Sequence, residues 1–383
     1  MPRRLVYDSG VVSADLFPEL DELLASQGAE ACLNFLIDRF TSGGEYGLLF
    51  EARLMKKRHE LGLPLIQTES VGGDEYQAAV VEAAREAGTL FLAAGNIERA
   101  WPYFRAISET QPVADAIGRL EPREGLDGAI GIAFQEGVHP LKGLELIAAQ
   151  HGMCRAITAF GMQAVTKDRD KCIALLATNL YREITERMAR AIEAREGTAP
   201  LSHRLPELME GREWLFGDWD YYVDTSHLIS IVPYCVEVTE PGVLETFHEL
   251  CDYGKRLSPR FQTKGNPPFE NQYEAYDHYI QALLGNDAEE HVEYFRRQIA
   301  ESDAEAAGDA PGRTLVRLLV SLNRPADALD VLLRDVFEDA PYGVPVPSAL
   351  HLCYQSKDFA RMTALARERG DPLSYAAGSI MHS

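Results

Sequence analysis

The sequence lacks the features that direct a chain into or across a membrane. No stretch approaches about 18 uninterrupted apolar residues, which is the length that a membrane-spanning helix needs. The first ten residues, MPRRLVYDSG, contain Arg3 and Arg4, but no apolar core of signal-peptide length follows them. We therefore expect a soluble protein with a cytoplasmic location.

Cysteine is scarce and scattered. The 383 residues include six cysteines, and none of them forms a CxxC pair. Disulfide frameworks and the common cysteine-based zinc sites need closer and more regular spacing than this. The pattern predicts reduced, buried thiols at most of the six positions, which are Cys32, Cys154, Cys172, Cys235, Cys251 and Cys353.

The signatures of several common enzyme classes are also absent. The sequence has no GxxxxGK[ST] phosphate-binding loop and no GxGxxG that opens a helix after a strand. It has neither HExxH nor GxSxG, so a zincin and an α/β-hydrolase are both unsupported. The aspartate-rich DDxxD pattern of α-helical prenyl-converting enzymes is missing as well.

Positive charge is in short supply. The chain has 37 Lys and Arg residues against 59 Asp and Glu residues, which gives a formal net charge of −22 at pH 7. Such an acidic surface repels phosphate backbones and anionic lipid, so we expect neither nucleic acid nor a membrane as a partner. The charge is compatible with a cationic partner, although solubility alone is a sufficient reason for it.

Helical periodicity, in contrast, extends along almost the whole sequence. In the clearest case, apolar residues recur at steps of three or four from Asp168 to Glu196, and charged residues take the opposite face. Gly197 is expected to end this helix. The short apolar run from Ile229 to Val232 has the composition of a strand, but Pro233 favours a broken helix.

Several segments repeat one plan, in which an apolar helix end leads through a tight polar turn into a second amphipathic helix. The turn residues Asn286, Asn323 and Lys357 mark three such segments, 37 and 34 positions apart (286 to 323, then 323 to 357). A fourth segment, residues 91–107, turns at Gly95. This period predicts one helical hairpin per repeat.

The plan resembles that of tetratricopeptide-like α-helical repeats in divergent form, over roughly the first 110 and last 110 residues. The resemblance implies an all-α fold, a right-handed α-solenoid of antiparallel helical hairpins with a concave groove that binds peptides or proteins. We accordingly expect a single elongated array over residues 1–383. Its parts are N-terminal hairpins in 1–110, central helices with a candidate pocket in 111–280, and C-terminal hairpins in 281–383.

The central helices contain polar residues that a plain scaffold does not need. His139 precedes Pro140 at a predicted helix start and is a candidate ligand-binding residue. His151 and Cys154 share a helix face if the helix continues past Gly152, and an imidazole and a thiolate at that spacing can both bind zinc. Alternatively, His151 caps a helix end and Cys154 is a small core residue.

The densest polar and aromatic cluster is WLFGDWDYYVDTSHLISI, residues 214–231. If Asp224 and His227 point inward together, they form a catalytic base with its orienting group, or two metal ligands. If Asp224 caps a helix, its role is structural. Trp219 and Tyr222 are candidates to stack on a sugar or another planar ligand, although aromatic residues that pack helices together give the same pattern.

A further cluster lies in residues 269–285, where His278 follows Glu274 at the helical spacing of four. Tyr276 adds hydrogen-bonding capacity and is a candidate ligand-binding residue. Because neighbouring helices of a solenoid are close in space, these side chains can converge on one pocket. We predict a divalent transition metal such as zinc at His151, His227 and His278 if they do converge.

Two functions therefore remain open from the sequence. One is a helical-repeat protein that binds a protein or peptide partner, or a small polar ligand, in a concave central groove. The other is an α-helical enzyme, with or without a metal ion, that acts on a small polar substrate such as a sugar. The first predicts that the central histidines are dispersed or individually satisfied, and the second predicts that they converge with Asp224 on one point.

Overall fold

A computed structural model describes residues 16–66, 73–262, 269–301, 308–336 and 345–382, and this part of the chain is all-α, as predicted. Arg3 and Arg4 lie outside the described residues. No helix in those ranges combines the length and apolar content needed to cross a membrane.

The α-helices of the described ranges are named in chain order. They are α1 (Leu16–Gln27), α2 (Ala29–Ser42), α3 (Tyr46–Glu60), α4 (Asp74–Ala93), α5 (Ile97–Ala106), α6 (Gln111–Gly118), α7 (Asp127–Ile130), α8 (Pro140–Met162), α9 (Arg169–Glu196), α10 (Leu205–Met209), α11 (Thr225–Ile231), α12 (Pro241–Arg256), α13 (Gln272–Leu283), α14 (Ala288–Glu301), α15 (Ala310–Ser321), α16 (Pro325–Asp335), α17 (Ala349–Ser356), α18 (Phe359–Glu368) and α19 (Pro372–His382). Short 3₁₀ or π-helical turns occur at Gly131–Gln135, Glu213–Phe216 and Val232–Glu237.

The chain divides into two compact units, Met1–Gln150 and His151–Ser383. In the first unit each helix from α1 to α5 packs against the next one along the chain, and in the second unit the same holds from α12 to α19. Packing between sequence neighbours is what a helical repeat requires. The single array over residues 1–383 and its three predicted parts stay predictions.

The repeated turn predicted from the sequence has one backbone geometry in all four segments. It contains one left-handed residue, with a φ of 73° at Gly95, 57° at Asn323 and 59° at Lys357, as well as 85° at Gly285, one position before the predicted turn residue Asn286. The next amide then donates to the carbonyl five residues earlier at 2.8–3.0 Å, which is the Schellman arrangement of a helix end. These residues therefore end their helices in the same way.

The left-handed backbone of Lys357 is energetically unfavourable, because a residue with a Cβ disfavours this region. Since Lys357 is exposed, we expect Lys357→Gly to raise the free energy of unfolding by about 0.5–1 kcal/mol. Lys357→Ala removes the same side chain but keeps the Cβ, so it is the matched control and should give no such gain. Urea unfolding of the three proteins measures the difference, and equal gains for both variants would contradict the interpretation.

The longest helix confirms the periodicity seen in the sequence. Helix α9 spans Arg169–Glu196, and Gly197 follows it with a φ of 75°. Its predicted apolar stripe is buried at every position, namely Ile173, Leu176, Ala177, Leu180, Ile184, Met188 and Ile192. The broken helix predicted around Pro233 is confirmed too, because α11 ends at Ile231 and a 3₁₀ turn follows.

Helices α12 and α13 approach each other closely at Gly254. A methyl group on this residue would lie 2.6 Å from the nearest ring carbon of Tyr273, which is closer than carbon atoms can pack. Tyr273 is fully buried, so its ring has no free space into which to move. The absence of a side chain at position 254 therefore sets the spacing between these two helices, and the polar residues described below lie on them.

Candidate functional site

His139 lies at the start of α8, as the sequence predicted. Its ring Nδ1 accepts a hydrogen bond from the backbone amide of Lys142 at 3.3 Å. This contact satisfies one of the free amides of the first helical turn. His139 thus has a structural role as a helix cap, and its role in ligand binding stays a prediction.

His151 and Cys154 do not share a continuous helix face, because α8 is interrupted between them. Gly152 has a φ of 79° and a ψ of 172°, which are not helical values. The interpretation of Cys154 as a buried core residue is wrong, since its side chain is exposed. Of the other cysteines, Cys32 is half-buried and four are buried, as predicted. His151 is exposed, and metal binding by it stays a prediction.

Asp224 is the N-cap of α11, which is the structural alternative noted from the sequence. Its carboxylate accepts the backbone amide of Ser226 at 2.9 Å, and hydrogen bonds from Ser226 lower its pKa. His227 lies one turn later, half-buried, and its Nδ1 is buried without a hydrogen-bond partner in the described part of the chain. Catalysis by Asp224 and His227 stays a prediction.

Trp219 lies on the surface, with 72% of the residue exposed. The guanidinium carbon of Arg260 lies 3.8 Å from its ring centroid. Tyr221, two residues on, is 53% exposed, and its ring centroid lies 5.0 Å from that of Phe261. We call Trp219, Tyr221, Arg260 and Phe261 the aromatic patch.

Tyr222 and Tyr276 lie in packed surroundings instead. The hydroxyl of Tyr253 accepts the backbone amide of Tyr222 at 3.0 Å, and burial raises the pKa of the Tyr222 phenol to about 12. Tyr276 is buried against the ring of Phe269. The alternative of a helix-packing role thus describes Tyr276, while ligand binding by Tyr222 or Tyr276 stays a prediction.

His278 pairs with another histidine that sequence reasoning did not single out. Its Nδ1 lies 2.7 Å from Nδ1 of His291 on α14, and its ring stacks on Tyr294 with centroids 3.8 Å apart. At that distance one nitrogen must donate and the other accept. Burial, and then the neighbouring imidazole, lowers the pKa of His278.

A larger polar cluster joins α12 to α13. His248, Asp252 and Lys255 occupy one face of α12 because they are spaced by four and three residues. Asp277 and Gln281, also four residues apart, face them from α13. We call these five residues the interhelix cluster. The sequence signal that could have found its α12 half is this helical spacing.

Asp277 is the centre of the interhelix cluster. One carboxylate oxygen lies 2.6 Å from Nδ1 of His248, and the other accepts from Nζ of Lys255 at 2.8 Å. The same Nζ lies 2.7 Å from Asp252, whose second oxygen is 3.6 Å from Nε2 of His248. The side-chain amide nitrogen of Gln281 lies 2.9 Å from Nδ1 of the same imidazole.

These contacts shift the pKa values of the charged groups in the directions that favour ionisation. The hydrogen bond to Asp277 outweighs burial and raises the pKa of His248. Burial alone would raise the pKa of Asp277, but the hydrogen bonds from His248 and Lys255 outweigh it and hold this pKa below its ordinary value. With His248 protonated, two positive and two negative groups balance, so the cluster is an ion-pair network that ties α12 to α13.

The interhelix cluster also contains donors of the kind that bind metals. Each of His248, Asp252 and Asp277 offers one ligand atom, and these atoms all lie within 4.8 Å of one another. Among the described residues, no other group of three or more His, Cys, Asp or Glu side chains places its ligand atoms this close together. None of its members is among the predicted ligands His151, His227 and His278, so convergence of those three stays a prediction.

The chain thus presents two features of functional interest in its second unit, the exposed aromatic patch and the partly buried interhelix cluster. Sequence reasoning found Trp219 in the first and missed His248, Asp252 and Asp277 in the second. Comparison of the chain with protein-family models, with curated proteins and with solved structures finds no match.

Proposed function

We propose that this chain is a divergent tetratricopeptide-like repeat protein that binds a basic peptide segment of a partner protein. The hairpins would stack as antiparallel pairs in the right-handed sense that the resemblance implies. The shared Schellman geometry of the four turns supports the repeat. The observation that carries the binding function is the exposure of both Trp219 and Tyr221, two positions apart on one short segment.

An exposed tryptophan is unusual because burial of its large ring stabilises a protein strongly. Trp219 contributes little of that stabilisation, since 72% of the residue is exposed. Tryptophan and tyrosine are also the residues that most often dominate the binding energy of protein interfaces. Two such rings on one short segment are therefore well suited to anchor a partner.

The charge of the surroundings favours a basic occupant. Asp218 and Asp220 are exposed on either side of Trp219, and the whole chain carries a net charge of −22. The contact with Arg260 demonstrates that a guanidinium can lie over this indole ring. Because most of Trp219 remains exposed beside Arg260, the ring can accept an arginine or lysine of a partner as well.

Selection from a displayed random peptide library on the full-length protein tests this function. We expect the selected peptides to be rich in Arg and Lys, and Trp219→Ala to weaken their affinity by about 2 kcal/mol, or roughly 30-fold. Tyr221→Ala should weaken it as well. Tyr354→Ala is the matched control, because Tyr354 on α17 is 53% exposed like Tyr221, and its loss should leave affinity unchanged.

The selection can also contradict the proposal. Peptides without basic residues would exclude the charge argument, and affinities that Trp219→Ala leaves unchanged would exclude the aromatic patch as the binding surface. Far-UV circular dichroism of the variants shows whether the fold is retained. Since Trp219 is exposed, its loss is expected to leave the helical signal intact.

A further inference from the structure

The interhelix cluster brings three potential metal ligands close to the spacing that one ion needs. Zinc–nitrogen and zinc–oxygen bonds are about 2.0–2.2 Å long, so two donors of one ion are at most about 4.4 Å apart. The 3.6 Å between Nε2 of His248 and the carboxylate of Asp252 falls within that limit. The full set of donors lies within 4.8 Å, so the side chains must draw closer and the imidazole must present one of its two nitrogens to surround an ion.

The two carboxylates of the cluster already hold a cation. The ammonium group of Lys255 lies 2.7 Å from one oxygen of Asp252 and 2.8 Å from one oxygen of Asp277. Each carboxylate keeps its other oxygen toward His248. The arrangement thus attracts positive charge to one point, and a borderline metal would gain an imidazole ligand that an ammonium group cannot use.

The donors lie on two closely packed helices, α12 and α13. Close packing of Gly254 on Tyr273 sets the distance between α12 and α13 next to Asp252 and Lys255. Side chains on packed helices position ligands more accurately than side chains on loops. The donors are also only partly buried, with 17–35% of each side chain exposed, so an ion can reach them from solvent.

We propose that His248, Asp252 and Asp277 bind a divalent transition metal such as Zn²⁺, and that Lys255 competes with the ion for the two carboxylates. Water would complete the coordination, because three protein donors leave at least one position open. This site is independent of peptide binding by the aromatic patch. The competing interpretation is a purely structural ion-pair network. Substitution of Lys255 distinguishes the two interpretations, because only a metal site gains affinity when the competing ammonium group is removed.

Titration of the untagged, chelator-treated full-length protein with Zn²⁺ and Co²⁺ tests the site. Calorimetry should detect one Zn²⁺ site, and Co²⁺ should give visible absorption typical of nitrogen and oxygen ligands. We expect His248→Ala and Asp252→Asn each to weaken binding at least about tenfold. Lys255→Met, which removes the competing cation with little change of length, should tighten binding about tenfold.

His351→Ala is the control, because His351 is an exposed histidine on another helix, α17, and its loss should not change affinity. If His248→Ala alters the circular dichroism spectrum, the near-isosteric Asp252→Asn carries the test. Binding that survives both ligand substitutions would overturn the proposal. Absence of binding by the wild type and by Lys255→Met, or no tightening in Lys255→Met, would overturn it as well and leave the structural network.

Discussion

Gly254→Ala is expected to lower the free energy of unfolding of the second unit by about 1–3 kcal/mol. Alanine is normally the better helix former, so propensity alone predicts a gain of about 1 kcal/mol. The added methyl group would, however, lie 2.6 Å from a ring carbon of the buried Tyr273. Because the contact is with the inner atoms of a fully buried ring, the ring or the helix must shift to admit the methyl group, and this steric cost exceeds the gain. Urea unfolding followed by circular dichroism measures the net effect.

Gly161→Ala provides the matched control for this substitution. Gly161 lies in α8, also in the second unit, and a methyl group there would meet only the hydroxyl of Tyr234 at an ordinary 3.7 Å. We expect this variant to be unchanged or slightly more stable. Equal stability changes in the two variants would mean that the approach of α12 to α13 does not depend on Gly254.

Asp277→Asn is expected to lower the free energy of unfolding by about 2 kcal/mol, because the Asp277 carboxylate forms hydrogen bonds with both His248 and Lys255. Breaking a fully buried ion pair costs about 3–5 kcal/mol, and the 17% exposure of the Asp277 side chain reduces this figure. Asp330→Asn is the control, since Asp330 pairs with Arg361 at 63% exposure and its loss should cost under about 1 kcal/mol. Urea unfolding in the presence of a chelator compares the two.

The pairing of His248 with Asp277 also predicts a pH dependence, because its contribution to stability is lost both in acid and as pH rises past the range in which His248 is charged. The pKa of Asp277 is lowered by folding, so its contribution is present above the unfolded value of about 3.9 and is lost as pH falls through the folded pKa. The pKa of His248 is raised, so its contribution is complete below about 6.5 and is lost as pH rises through the folded pKa.

The stability difference between the wild type and Asp277→Asn should therefore be largest between about pH 4 and 6.5. Above that range it should shrink without vanishing, because Lys255 stays charged and paired with Asp277. Unfolding midpoints of both proteins from about pH 5 to about pH 9 measure this. A difference that is constant over this range would show that His248 does not contribute through its charge.

Local features of the fold could be predicted well from the sequence. The apolar stripe of α9, its end at Gly197 and the places of the four tight turns depend on residues within one or two helical turns of each other. Such contacts follow from helical periodicity and from the conformational freedom of particular residues. The placement of Cys154 was wrong because it rested on the usual burial of free cysteine, whereas this side chain, just after the break at Gly152, is exposed.

The candidate sites were predicted less completely. Trp219 was found because aromatic density is visible in the sequence. Its exposure was not predictable, since a cluster of aromatic residues looks the same in the sequence whether its rings are packed or exposed. His248 and Asp277 were missed because they are 29 positions apart and meet only across two packed helices. The helical spacing of Asp252 and Lys255 on α12 was visible in the sequence, but it indicates only one side of the cluster.

By itself the sequence determined that the described chain is all-α, where several of its helices end, and where four tight turns join successive helices. These properties arise from short-range sterics and from the burial of one helix face. Only the tertiary structure decided which polar side chains share a site. Which side chains meet depends on how closely α12 and α13 approach. Gly254 allows this close approach, because it has no side chain to collide with the ring of Tyr273.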